Sequence, residues 1–248
     1  MKKIRLFVEE KNLTIGAKIK ISDGDFEYLS KVMRQKIGDS IFLFNGLDGE
    51  FRATILEVEK KILNVVVEEK ITDLKKVPNV TLAFAPVKNV RIDFVAMKAV
   101  ELGVASFQPI LTQRTIVDKI NFERFKANIK EACEQCGRND FADISEIKKL
   151  DKFLSEAKNS EKILILCDES GSALKASKVL SKINFTGKEV VILVGPEGGF
   201  SAEEFSKMRE LKNLHSISLG PRILRADTAM IAALALVQEF VDVTQINH

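Results

Sequence analysis

The chain has 248 residues, enough to bury a sizeable core as one large domain or two smaller ones. Apolar residues make up 46% and charged residues 29%, the balance of a folded globular protein, and no apolar run is long enough to span a bilayer. A net charge of +3 permits a nucleic-acid partner without demanding one, because dedicated nucleic-acid domains carry denser basic clusters.

The N-terminus opens with Lys2 and Lys3 but has no adequate apolar stretch behind them, and Glu9 and Glu10 interrupt it. It does not read as a secretory signal, so a cytoplasmic protein is expected. Segments 4–8, 18–21, 40–44, 50–59 and 62–68 are short and rich in β-branched or aromatic residues. Turn signals at Asp23-Gly24, Gly38-Asp39, Asn45-Gly46 and Asp48-Gly49 separate them, and one helix-like piece spans 25–34. This spacing predicts a small β-barrel over residues 1–72, with the polar, proline-bearing stretch 70–78 as a linker.

After Pro78 the rhythm changes. Strand signals at 80–85, 107–111, 163–167, 190–194 and 217–219 alternate with helical signals at 92–102 and 121–136. The strands are continuous apolar runs, as expected where both faces are covered. Alternation of this kind predicts an α/β domain with a mainly parallel sheet over 73–248. A final helix over 227–241 includes Ala229 to Val237, which is apolar around its whole circumference. Such a helix runs through a core or is partly covered by a second subunit.

Cys133 and Cys136 form a C-x-x-C pair. A structural zinc site needs four ligands, and only Cys167, His215 and His248 remain as further cysteine or histidine. The surrounding sequence reads as helix, so these are taken as ordinary thiols and no metal is expected.

Two loops carry most of the chemical information. The first is Leu193 to Glu204 (LVGPEGGFSAEE), with Gly195, Pro196, Glu197, Gly198 and Gly199 at its centre. Glycine has no Cβ, so backbone groups there can approach a planar ligand closely. The loop follows a strand, and ligands of open α/β sheets bind beyond carboxyl strand ends. Ser201 and Glu204 fit a capping box that opens the next helix. The spacing matches neither a P-loop nor a dinucleotide fingerprint. The second loop is Leu219 to Ala229 (LGPRILRADTA), where Leu219, Gly220, Ile223 and Leu224 with Arg222 and Arg225 describe an apolar slot with a positive rim. Such a slot suits a nucleoside, and Asp227 is placed to cap the final helix.

These two loops, in this order near the C-terminus, resemble the signature of the bacterial small-subunit rRNA (uracil-N3)-methyltransferases of the SPOUT class. Residues 87–104 (VKNVRIDFVAMKAVELGV), 111–117 (LTQRTIV) and 131–138 (EACEQCGR) resemble further family segments, and 28–46 (YLSKVMRQKIGDSIFLFNG) resembles the family's PUA-like barrel. The chain departs from the family pattern at Tyr28, where histidine is expected, and at Met33, where leucine is more usual.

The resemblance implies an N-terminal PUA-like β-barrel and a C-terminal SPOUT α/β domain with a deep trefoil knot. It further implies a homodimer that binds S-adenosylmethionine on the two loops. The implied cofactor residues are Leu193, Gly195, Pro196, Glu197, Gly198, Gly199, Leu219, Gly220, Ile223, Leu224 and Arg225. The implied substrate is 16S rRNA within the small ribosomal subunit, methylated at N3 of a uridine in the decoding region.

Uracil N3 must lose its proton before or during transfer. Glu197 and Asp227 are candidate bases, and Arg114 and Arg225 are candidates to stabilise charge spreading onto the uracil oxygens. Arg5, Arg34, Lys88, Arg91, Lys98 and Arg138 are candidate RNA contacts. Two alternatives remain open: ribose 2′-O-methylation by a related fold, and a non-catalytic ribosome-assembly factor that binds RNA through the barrel.

Overall fold

The structure is a computed structural model describing residues 3–87 and 89–246, and it divides into two units. The first comprises residues 1–76 with 133–141, and the second comprises 77–132 with 142–248.

The first unit is built on β1 (Arg5–Phe7), β2 (Lys18–Ile21), β3 (Ser40–Phe44), β4 (Glu50–Glu59) and β5 (Ile62–Thr72). They form one sheet in the order β1-β3-β4-β5-β2, antiparallel except for the parallel β1–β3 pair. Burial alternates along β2 and the first halves of β4 and β5, which places Ile19, Ile21, Ala53, Ile55, Leu63 and Val65 in one core with Leu6, Ile41 and Leu43. Each of the Val, Leu and Ile side chains among them contributes roughly 1.5–3 kcal/mol of burial free energy.

The β3–β4 turn is held by Asn45, whose Oδ1 accepts the backbone N–H groups of Leu47 at 3.0 Å and Asp48 at 2.9 Å. Gly49 closes it at φ +100°, where a Cβ would stand 2.2 Å from the Thr72 carbonyl oxygen. The expected helix over 25–34 is a short α1 (Asp23–Glu27) followed by one π-helical turn, Tyr28–Val32. The chain leaves that turn through Arg34 at φ +54°, an uncommon backbone state for an arginine.

The segment 133–141 is stitched into this unit by polar contacts. Asn139 Oδ1 accepts the Lys75 backbone N–H at 2.9 Å, and Asn139 Nδ2 donates to the Asp73 carbonyl at 2.9 Å. Arg5 lies beneath it and is 7% exposed. Its Nε donates to Glu50 Oε2 at 2.5 Å, Nη1 to the Cys133 carbonyl at 2.5 Å and Nη2 to the Arg138 carbonyl at 2.8 Å.

The second unit contains β6 (Val80–Phe84), α2 (Asn89–Glu101), β7 (Ser106–Leu111), α3 (Phe122–Cys136, its last four residues counted with the first unit), and two-residue strands β8 (Asp143–Ile144) and β9 (Lys148–Lys149). There follow α4 (Leu150–Lys158), β10 (Ile163–Cys167), β11 (Leu174–Lys175), α5 (Ala176–Leu180), β12 (Val190–Val194), α6 (Ala202–Arg209), β13 (Leu214–Ser218) and α7 (Ala226–Ile246). The sheet order is β11-β13-β10-β12-β6-β7-β8, with every pair parallel.

Strands β6 and β12 are buried at all five positions, which explains their unbroken apolar sequence. β13 extends over 214–218 where the sequence indicated 217–219. It neighbours only the short edge strand β11 on one side, so His215 and Ser216 stay half-exposed and break the apolar run. Phe84, Phe107 and Phe125 pack as an aromatic trio, with the Phe107 and Phe125 rings edge to face at 4.9 Å. α7 packs against α2, β12 and β6. Met230, Ala233, Leu234 and Val237 are buried, while Ile231, Ala232 and Leu236 are half-buried and Ala235 is exposed. No helix among the described residues is long and apolar enough to cross a membrane.

Candidate active site

A cavity opens at the carboxyl ends of three adjacent strands, β13, β10 and β12. This is where ligands bind in parallel α/β sheets, since chain segments diverge from a common edge there. One wall is the loop after β12, contributing Gly195, Pro196 and Glu197, backed by Phe200 and Phe205. The opposite wall is the loop after β13, contributing Leu219, Gly220, Arg222 and Leu224, and continues into α7 through Ala226 and Ala229. Between them the end of β10 contributes Cys167, Asp168 and Glu169.

The first wall is a tight turn in which the Gly199 N–H donates to the Pro196 carbonyl at 2.9 Å. Gly199 has φ +67°, and a Cβ there would lie 2.6 Å from Glu169 Oε1. At Gly195 a Cβ would stand 2.9 Å from the Phe200 ring, so the ring seats against bare backbone. The expected capping box is present. Ser201 Oγ accepts the Glu204 N–H at 3.2 Å, and Glu204 Oε2 accepts the Ser201 N–H at 2.7 Å.

Arg114 reaches this wall from the segment after β7. Its Nη1 donates to the Gly198 carbonyl at 2.8 Å, so part of the guanidinium acts as a clasp on the loop. The neighbouring Gln113 N–H donates to Glu204 Oε1 at 2.7 Å. Both contacts tie the 111–117 segment to the glycine-rich loop, an association that spacing alone did not reveal.

Six of the residues proposed from sequence face the cavity together: Gly195, Pro196, Glu197, Leu219, Gly220 and Leu224. Leu193 is fully buried in the core below. Gly198 and Gly199 lie in the turn, outside the cavity lining. Ile223 is 87% exposed, and Arg225 is exposed at the start of α7. Asp227 lies within the first helical turn, where its Oδ1 accepts the Thr228 N–H at 2.8 Å. It sits one residue inside the helix, so it adds favourable negative charge at that end without occupying the cap position.

The residues missed from sequence are Cys167, Asp168 and Glu169. They carry no glycine signature, and only the parallel order β13-β10-β12 reveals that the end of β10 lies between the two loops. Burial pushes the Cys167 thiol up to about 12, which favours the protonated form at neutral pH.

The basic residues chosen as RNA contacts separate into groups. Arg5 is consumed by Glu50 and backbone carbonyls, and Arg138 forms a bidentate pair with Asp140 at 2.8 and 3.0 Å while 7% exposed at its side chain. These two are corrected to structural residues, because buried, paired guanidinium groups have no donors to spare for phosphate. Lys98 is half-exposed and pairs with Glu101 at 2.8 Å, whereas Arg34 is exposed. Lys88 and the Arg91 side chain lie outside the described residues.

Comparison with known proteins agrees with this architecture. Residues 74–238 match a family model described as an RNA methyltransferase domain, and residues 21–68 match an RNA methyltransferase PUA domain. The chain is 34% identical over 242 residues to ribosomal RNA small subunit methyltransferase E of Rickettsia conorii, covering 96% of each chain. Among solved structures, a methyltransferase from Legionella pneumophila in complex with SAM superposes with TM-score 0.84 at 32% identity, covering 96% of this chain and 98% of that one. Ribosomal RNA small subunit methyltransferase E from Neisseria gonorrhoeae, bound to S-adenosyl methionine, gives TM-score 0.83 at 30% identity with the same coverage. The chain therefore belongs to the ribosomal RNA small subunit methyltransferase E family.

Proposed function

We propose that this protein methylates N3 of a uridine in the decoding region of 16S rRNA, using S-adenosylmethionine (SAM) held in the cavity beyond β10, β12 and β13. The observation that carries the reading is the cavity itself. It has backbone exposed at Gly195 and Gly220, aliphatic surface from Leu219 and Leu224, and acidic groups from Glu197 on one wall and from Asp168 and Glu169 between the walls. These features fit an adenosine-bearing cofactor: bare backbone and apolar surface for the base, and carboxylates for hydroxyl or cationic parts. Bound at this site, SAM supplies an electrophilic methyl carbon on a sulfonium.

The protein's own part is positioning and proton management. Glu197, at the cavity wall, is the candidate to take the N3 proton. Arg114 holds the loop through Gly198 and is the candidate to stabilise negative charge on the uracil. Arg225, exposed beside the second loop, is the candidate to meet substrate RNA or the same developing charge. Arg34 and the exposed Val32 and Ile37 near the π-helical turn give the first unit a basic and apolar face for RNA.

Two finer points belong to this proposal. The return of α7 from the β13 side of the sheet to pack on β12, β6 and α2 supports a knotted C-terminal topology. The apolar stripe of half-buried Ile231, Ala232 and Leu236 with exposed Ala235 supports a homodimer. The deciding experiment is methylation of small subunits from cells lacking this protein, followed by nucleoside mass spectrometry. N3-methyluridine in the decoding region is expected. A 2′-O-methyl nucleoside would move the chemistry to the ribose, and no transfer with no SAM binding would leave an RNA-binding factor.

A further inference from the structure

We propose that Asp168 binds the ribose diol of the cofactor and thereby sets the cavity's preference for ribonucleosides. The proposal rests on the reading of this cavity as the SAM site. Asp168 follows β10 directly, and its backbone N–H donates to the Ile217 carbonyl at 2.9 Å, which anchors it to β13. It is only 7% exposed, yet it lines the cavity. One carboxylate oxygen, Oδ1, accepts the Ser170 N–H at 2.8 Å. The other has no hydrogen-bond partner among the described residues. The carboxylate is thus fixed through one oxygen, while the other is not among the buried side-chain atoms left without a partner, so it is open to accept a ligand donor from the cavity.

The flanking walls offer backbone and aliphatic groups, which suit a flat base. The centre offers an acceptor, which suits a hydroxyl donor. A vicinal diol is the neutral donor that such an acceptor takes at least desolvation cost. A cationic amino group would have to be buried along with the carboxylate, and the exposed Glu169 nearby meets a cation more cheaply because it keeps its water. Asp168 is thus assigned to the diol.

The test is calorimetric, with no turnover needed. SAM, S-adenosylhomocysteine, 5′-methylthioadenosine and the 2′- and 3′-deoxy forms of the last are titrated into the wild-type dimer or monomer as it exists, and into Asp168→Asn and Asp168→Ala. The expected result is an equal loss for SAM, S-adenosylhomocysteine and 5′-methylthioadenosine, of about tenfold or more. At least one deoxy analogue should bind weakly to the wild type and be insensitive to the substitution. A loss confined to the two ligands that carry the amino acid would overturn the assignment, as would unchanged binding of all three. Glu169→Gln keeps the test independent of folding: it should leave 5′-methylthioadenosine affinity unchanged, and a tenfold loss there would move the diol contact from Asp168 to Glu169. If the wild type binds none of the nucleosides, the reading of the cavity fails and not merely the role of Asp168.

Discussion

Glu204 accepts the backbone N–H of Gln113 at 2.7 Å while its other oxygen accepts the N–H of Ser201 at 2.7 Å. A helix cap has thus become a joint between distant segments. Its carboxylate is 3% exposed, so nothing in solvent replaces it. Glu204→Ala leaves two backbone donors without their partner and is expected to cost about 2–3 kcal/mol. In a chain of this size each kcal/mol lowers Tm by roughly 2–4 °C. Thermal melting by circular dichroism checks it, and Glu204→Gln should recover part of the loss.

Gly195→Ala should damage ligand binding more than stability. The added methyl meets the Phe200 ring, whose own side is packed into the core. Relief requires the glycine-rich loop to move into the cavity, at an overpacking cost of about 1–3 kcal/mol. SAM affinity by calorimetry is expected to fall about tenfold or more. Pairing the change with Phe200→Leu should restore part of it; equal losses in the single and double variants would remove the ring as the cause.

Arg5→Ala should behave as a core lesion and not as a lost RNA contact. It leaves Glu50, itself 3% exposed, with one fewer cation and the carbonyls of Cys133 and Arg138 without their donor. The expected cost is about 3–5 kcal/mol in urea denaturation. Arg34→Ala should leave the melt unchanged while reducing affinity for small subunits and flattening its salt dependence.

Stability should fall as pH drops below neutrality, and His215 should account for part of the fall. Burial holds its imidazole below the ordinary 6.5. The unfolded chain therefore takes up a proton that the folded chain resists. The contribution is fully present above pH 6.5 and is lost as pH falls from there through the folded value. Carboxylates such as Asp48, held low by the Leu13 backbone N–H and by Asn45, lose their stabilising effect only in more acidic solution. Melting curves between about pH 5 and 7.5 should be steeper for the wild type than for His215→Thr, which keeps a strand-forming side chain.

The elements that the sequence made legible are those whose burial leaves a period. β6, β10 and β12 read as apolar runs because both faces are covered, and the Ser201–Glu204 cap was visible as four residues. α4 is hard to see in the sequence although Leu150, Phe153, Leu154 and Ala157 fall at helical spacing, because the polar residues between them resemble a loop. The pairs β8–β7 and β11–β13 are only two residues long, too short for any pattern. The two site loops were legible through glycine and proline. Asp168 was not, because a carboxylate at a strand end gains meaning only from the strands beside it.

The placement of β10 between β12 and β13 also sets when the cavity comes into being. Its walls come from three stretches, around residues 167–169, 195–205 and 219–229, and the central one is laid down first in the chain. Until β13 pairs with β10 and α7 returns across the sheet, one wall is missing entirely. A chain truncated before Leu214 keeps the glycine-rich loop yet has no pocket, and a ligand that needs all three walls stabilises only the completed fold. Nucleoside binding is therefore a readout of whether the stretch from Leu214 onward has found its place.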